Sequence, residues 1–253
     1  MRRIILYLVF SLLFQLSVEG QRKVSFLSSD GLKVTADLYL KDPALPFILL
    51  FHQGNYSRGE YNEIAPKLLN LNYNCLSVDL RSGGKVNFVE NETCLEANGK
   101  KMPHSMLDAR TDIQAAIRYV GEFNTSPVVL FGSSYSASLS LVEANRNPRV
   151  RAVVAFSPGE FFRPGLSVKD ALKGFDKKVF VAVTNTEYEY VEKMLDDIPE
   201  PEKTLFKPGN TEGLPGAKAL WSSYAGNPEY WLALLMFFKE LNGTGTGQSA
   251  LVP

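Results

Sequence analysis

FGSSYSASL, residues 131–139, is where a long apolar run meets a run of small residues. The preceding PVVLFG (127–132) is a strand-like apolar run that ends at Gly132. The small side chains that follow suit a helix passing close to that strand. Gly132-Ser133-Ser134-Tyr135-Ser136 reads G-x-S-x-S, one residue from the G-x-S-x-G nucleophile elbow. An elbow needs small residues two before and two after the nucleophile, because strand and helix nearly touch at the turn. Register selects Ser134. With Ser133 at the apex, bulky Phe131 would fill the tight position, and Ser136 already lies inside the helix. A serine that merely caps the helix is the alternative; the strand before it and the small-residue helix after it favour the elbow.

Outward from this point, strand-length apolar runs alternate with helical patterns. VSFLS (24–28) and KVTADLYL (33–40) form a strand pair around the turn residues Ser29-Asp30-Gly31. FILLFH (47–52), NCLSVDL (74–80), VRAVVAFS (150–157), KKVFVAV (177–183) and KTLFKP (203–208) supply further strands. Helices are expected over 60–71, over 106–121 with Ser105 and Asp108 at its start, and from Asn227 onward. In the last, Trp231, Leu234, Leu235, Phe238 and Leu241 are expected to line one face. The alternation implies an α/β fold, a mostly parallel sheet covered by helices on both faces. In such folds ligands bind beyond the carboxyl ends of the strands. The stretch 81–105 has no strong periodicity and reads as a polar loop roofing the pocket.

Composition narrows the function. Lysine plus arginine (27) balance aspartate plus glutamate (27), so no basic field favours nucleic acid or anionic lipid. Only two histidines, His52 and His104, and two cysteines, Cys75 and Cys94, are present, too few and too scattered for a structural metal site. The cysteines read as a buried thiol plus an incidental one, with a disulfide as the alternative. No cofactor motif is seen. Residues 1–20 have a basic start, an apolar stretch short for a bilayer span and small residues before Gln21, the form of a secretory signal. The expected layout is a signal peptide (1–20), one catalytic-type domain (21–241) and a linker-like tail (242–253), in a secreted or periplasmic protein with no membrane attachment after processing. An uncleaved anchor is the alternative. Oligomeric state is not legible.

LLFHQGNYSRGEY (49–61), SVDLRSGG (77–84), GSSYSASL (132–139), FSPGEFF (156–162) and the ALW…EYW ending (219–231) together resemble the α/β-hydrolase superfamily, closest to its dienelactone-hydrolase-like branch. The resemblance runs from about residue 24 to residue 241. It implies the α/β-hydrolase fold and activity on a carboxylic ester or related small acyl substrate. Residue by residue, it implies Ser134 as nucleophile and the backbone N–H groups of Gln53 and Tyr135 as an oxyanion hole. It also implies Glu187 as the acid, with Glu189 the runner-up. It further implies that His52 and Glu160 border the substrate, His52 with a structural role as its other reading and Glu160 as a remote candidate acid. Asp79 and Arg81 read as loop-fixing ion-pair residues.

One element departs from the pattern. Similar sequences carry His-Gly before a segment like AKALW, and here GNTEGLPGAKALW (209–221) has Pro215-Gly216. No histidine follows residue 104. Proline has no proton-accepting side chain, and serine at its ordinary pKa is a poor nucleophile without a base. His104, delivered from the long loop, is the one rescue, since triads are defined by geometry and not by chain order. Activity is therefore expected to be weak or lost, and a non-catalytic protein that binds a small ligand in the inherited pocket is the alternative.

Overall fold

The computed structural model describes residues 20–243; the expected signal segment and most of the expected tail lie outside them. Ten strands and seven α-helices follow in chain order: β1 (Gln21–Leu27), β2 (Lys33–Tyr39), β3 (Phe47–Phe51), α1 (Ile64–Leu69), β4 (Asn74–Val78), β5 (Lys85–Val86), β6 (Val89–Glu90), α2 (Glu92–Gly99) and α3 (Arg110–Gly121). The rest are β7 (Val128–Ser133), α4 (Tyr135–Ala144), β8 (Val150–Phe156), α5 (Val168–Ala171), β9 (Lys178–Ala182), α6 (Tyr188–Met194), β10 (Lys203–Phe206) and α7 (Asn227–Gly243). Eight strands form one sheet in the order β1-β2-β4-β3-β7-β8-β9-β10. Only β1 and β2 run antiparallel to their neighbours, so the sheet is parallel from β4 to β10.

Strand alternation builds two cores. Leu49 and Phe51 of β3 face one side with Leu130 of β7 and the helical residues Ile113, Ala116, Ile117 and Val120 of α3. Ile48 and Leu50 face the other, with Phe131, Ile64 and Leu68 of α1, and Leu234, Phe238 and Leu241 of α7. The helix expected over 60–71 is a 3₁₀ turn (Arg58–Tyr61) followed by α1. The expected start at Ser105 is real as a local cap, since the Ser105 N–H and Asp108 carboxylate bond each other at 2.8 Å, but α3 begins only at Arg110. α7 buries Tyr230, Leu234, Phe237, Phe238 and Leu241, while Leu235 is exposed. Its buried face is thus rotated towards Tyr230 and Phe237 because it must meet both β9 and β10. The helix also runs through Gly243, two residues into the expected tail.

The stretch 81–105 is not a plain loop. It holds the β5–β6 hairpin, whose Val89 lies so close to Gly59 that a Cβ there would stand 2.8 Å from it, and α2, which packs on β2. Asn91 caps α2 by accepting from Cys94 N–H, and Thr93 Oγ1 accepts from the Thr35 N–H. Within this segment α2 covers β2, and the β5–β6 hairpin packs on the 3₁₀ turn Arg58–Tyr61. Arg58 is paired with Asp37 and Asp79, and Arg81 with Asp112 and Asp30, so Asp79 and Arg81 fix the loop through separate partners. Both cysteines are free thiols, Cys75 being buried. Among the described residues no helix is long and apolar enough to cross a membrane.

Candidate functional site

Ser134 lies between β7 and α4 with φ +57° and ψ −122°, a backbone region that side-chain-bearing residues seldom adopt. Several contacts hold it there. Its N–H donates to Phe156 O at 2.7 Å, and its carbonyl accepts from Ala137 N–H at 2.9 Å. Gly132 is essential to this crossing: a Cβ on it would stand 2.4 Å from Ala137 Cα and 2.5 Å from Ser136 O. Ser136, where the motif has glycine, turns its hydroxyl inward to accept from Ser133 N–H at 2.9 Å and donate to Phe51 O at 2.7 Å. That side chain stitches the elbow to β3. The Ser134 side chain is half-buried and forms no hydrogen bond with another described side chain.

Glu187 follows β9 at the start of α6. Its Oε2 accepts from the Ser157 hydroxyl at 2.8 Å and from Thr184 N–H at 2.9 Å. Ser157, held at φ +51° just after β8, accepts in turn from Gly216 N–H at 2.9 Å. Pro215 therefore sits one residue from a chain of hydrogen bonds ending on Glu187, and it is exposed. Glu189 is exposed on the first turn of α6 and joins no part of this chain.

The buried side of the elbow carries a second carboxyl group that the sequence reading did not single out. Glu60, in the 3₁₀ turn after β3, has no exposed surface. Its Oε2 accepts from Gln53 N–H at 2.8 Å and its Oε1 from the Ser133 hydroxyl at 2.8 Å. Ser133 Oγ also accepts from Ala217 N–H at 2.8 Å. Burial pushes the Glu60 carboxyl up to about 7. Nothing in LLFHQGNYSRGEY distinguishes Glu60 from a solvated glutamate; only the folding-back of the turn beneath the elbow buries it.

The remaining candidates separate. The Gln53 N–H, expected in an oxyanion hole, is engaged by Glu60 in this structure. His52 does not reach a substrate: it is wholly buried, its Nε2 accepts from Leu80 N–H at 2.9 Å, and its Nδ1 donates to Gln53 O at 2.9 Å. Those bonds fix one neutral tautomer, and burial lowers its pKa to about 4. Through these bonds it ties the loop after β3 to Leu80, just past β4. Glu160 is likewise committed, each carboxylate oxygen accepting one N–H at 2.9 Å from Val168 and Lys169 at the start of α5. Exposed His104 bonds only the carbonyl of Met102. Among the described residues no cluster of metal-ligating side chains occurs, and a cavity of about 580 Å³ at Thr204, Phe237 and Lys239 involves none of these groups.

No protein-family model matches the chain, and a search of curated proteins finds no match. Solved structures do match. The protein DcsB, solved as a complex with its substrate analogue, superposes with a TM-score of 0.67 at 15% identity, covering 87% of this chain and 99% of that one. The Pyrococcus furiosus esterase Pf2001 gives 0.62 at 17%, covering 87% and 92%. A dienelactone hydrolase from Anabaena variabilis gives 0.60 at 19%, covering 86% and 95%. Likeness at this identity speaks to architecture. With the parallel sheet and the elbow after β7, it establishes that this chain has the α/β-hydrolase fold.

Proposed function

We propose that the protein is a serine-hydrolase-type protein for a carboxylic ester or related small acyl substrate, working without the usual histidine. The supporting observation is the Ser134 elbow. A half-buried serine hydroxyl at positive φ is held by bonds to its backbone and not by bonds to its oxygen, which suits a nucleophile. In this reading Ser134 Oγ attacks the acyl carbonyl and its proton passes to solvent water. The Tyr135 N–H and the Gln53 N–H, once released, stabilise the charge that forms on the carbonyl oxygen. The tetrahedral intermediate collapses by breaking the ester C–O bond, and the alcohol leaves with a proton taken from solvent. A second water then adds to the acyl-serine and releases the acid and the free Ser134 hydroxyl. In this reading Glu187 is the acid, but its partners are Ser157 and Thr184, and no imidazole intervenes. Loss of a triad base typically costs about 10⁴–10⁶ in turnover, so slow chemistry is expected.

A second reading has its own support. Glu187 is already satisfied by Ser157 and Thr184, and both histidines serve elsewhere. That arrangement also suits a non-catalytic protein that holds a small acyl or carbonyl ligand. An activated fluorophosphonate probe separates the two. Stoichiometric labelling that disappears in Ser134→Ala supports the hydrolase-type reading. No labelling under conditions that label ordinary serine esterases rules it out and leaves the binding protein.

A further inference from the structure

We propose that Glu60 is a positioning residue for the Ser134 site, holding the Gln53 N–H and the Ser133 hydroxyl on one buried carboxyl group and so governing whether Gln53 can serve an acyl oxygen. The proposal rests on the reading of Ser134 and Gln53 given above. Its geometry comes from three separate segments. The loop after β3 supplies the Gln53 N–H, the elbow supplies the Ser133 hydroxyl, and the terminal loop reaches the same hydroxyl through Ala217 N–H. Gly216 seals the contact, since a Cβ there would stand 2.8 Å from both Gln53 Oε1 and Ser133 Oγ. Among the described residues, Glu60 is thus the ionisable group that joins the first two directly and the third through the Ser133 hydroxyl.

Two physical effects make its charge matter. An ionised carboxylate forms a charge-assisted hydrogen bond, roughly twice as strong as a neutral one, and keeps the Gln53 N–H for itself. It would also repel an oxyanion forming on that same donor, with little solvent between them. The neutral acid instead turns its proton towards Ser133 Oγ and leaves only a neutral oxygen competing for the N–H. The titratable and charged groups facing Glu60 are Tyr56 and Tyr61 from its own segment, Tyr135 from α4 and Lys218 from the terminal loop. Lys218 is the cation among them, and its effect on Glu60 is smaller than that of burial. Burial brings the change between the two forms near neutral pH.

The test uses two readouts on the mature chain. In the wild type, the backbone amide resonance of Gln53 should titrate with a midpoint near neutrality, and in Glu60→Gln that titration should vanish. The rate of Ser134 labelling by a fluorophosphonate, divided by the rate in Glu60→Gln, should fall about tenfold from pH 6 to pH 8.5, the scale of a charged against a neutral hydrogen bond. A Gln53 amide that does not titrate in the wild type overturns the proposal, whether or not the variant folds. So does a labelling ratio that is flat with pH while the amide titrates. Absence of labelling in both proteins refutes the hydrolase reading alone, and the Gln53 titration still decides whether Glu60 governs that donor.

Discussion

Replacing Gly132 by alanine tests whether the elbow is as tight as the sequence implies. The added Cβ would stand 2.4 Å from Ala137 Cα, 2.5 Å from Ala137 N and 2.5 Å from Ser136 O. Carbon atoms in good contact sit about 3.5–4.0 Å apart, so strand and helix must separate by about 1 Å. All three obstacles are backbone, and no side-chain rotation relieves them. The separation also strains the bonds from Ser136 to Ser133 and Phe51, since β3 and β7 are paired in the sheet. Overpacking of this kind costs about 1–3 kcal/mol, and the backbone obstacles place Gly132→Ala at about 3 kcal/mol. For a domain of this size that lowers Tm by about 6–12 °C. Gly31→Ala is the comparison: it has φ +83° with no atom within 4 Å of the new Cβ, so it reports the conformational cost alone, about 1 kcal/mol. Thermal and denaturant unfolding measure both. Labelling of Ser134 should fall about a hundredfold in Gly132→Ala, the usual price of a 1 Å displacement. A Gly132→Ala protein as stable as the wild type, or less affected than Gly31→Ala, would refute the close crossing of β7 and α4.

Other outcomes follow from the same network. The Glu60 carboxyl is raised from 4.5 to about 7 in the folded chain. Its contribution to stability is therefore present in acid and lost as pH rises towards 7, so Glu60→Gln should gain about 3 kcal/mol on the wild type between pH 4 and pH 8 in denaturant unfolding; parallel pH curves would contradict this. Pro215→His should raise hydrolysis of a p-nitrophenyl ester about tenfold to a thousandfold, short of a full triad because the loop must also reshape. No gain in a folded variant would mean that residue 215 does not lie where a base can act. His104→Ala should leave turnover unchanged; loss of turnover would make the loop histidine the base. N-terminal sequencing of exported protein should read Gln21, where β1 begins, and recovery of Met1 would favour an anchor instead.

Much of the architecture was legible along the chain because burial on both faces leaves a local signature. VVLF, FILLF and VFVA are continuous apolar runs, and each lies in an interior strand of the sheet. The small residues around Ser134 identified the elbow for a similar reason: a close backbone crossing excludes Cβ atoms, and that exclusion is written into residue size. Glu187 was selected over Glu189 by likeness alone; in the structure Glu187 accepts from Ser157 and Thr184, and Glu189 is exposed.

What the sequence could not carry is pairing between segments far apart. Glu60 and Ser133 are 73 residues apart, and Gly216 meets Ser157 across 59. A glutamate has the same local pattern whether solvated or buried, so only the tertiary fold decided that Glu60 is sealed beneath the elbow and Glu160 spent on capping α5. The same holds for His52, whose chemistry was settled by the Leu80 N–H and the Gln53 carbonyl that surround its ring. Residue size and apolar run length are local properties and survive in one dimension. Desolvation and hydrogen-bond partnership are properties of the packed molecule, and these set the charge and reach of every candidate group.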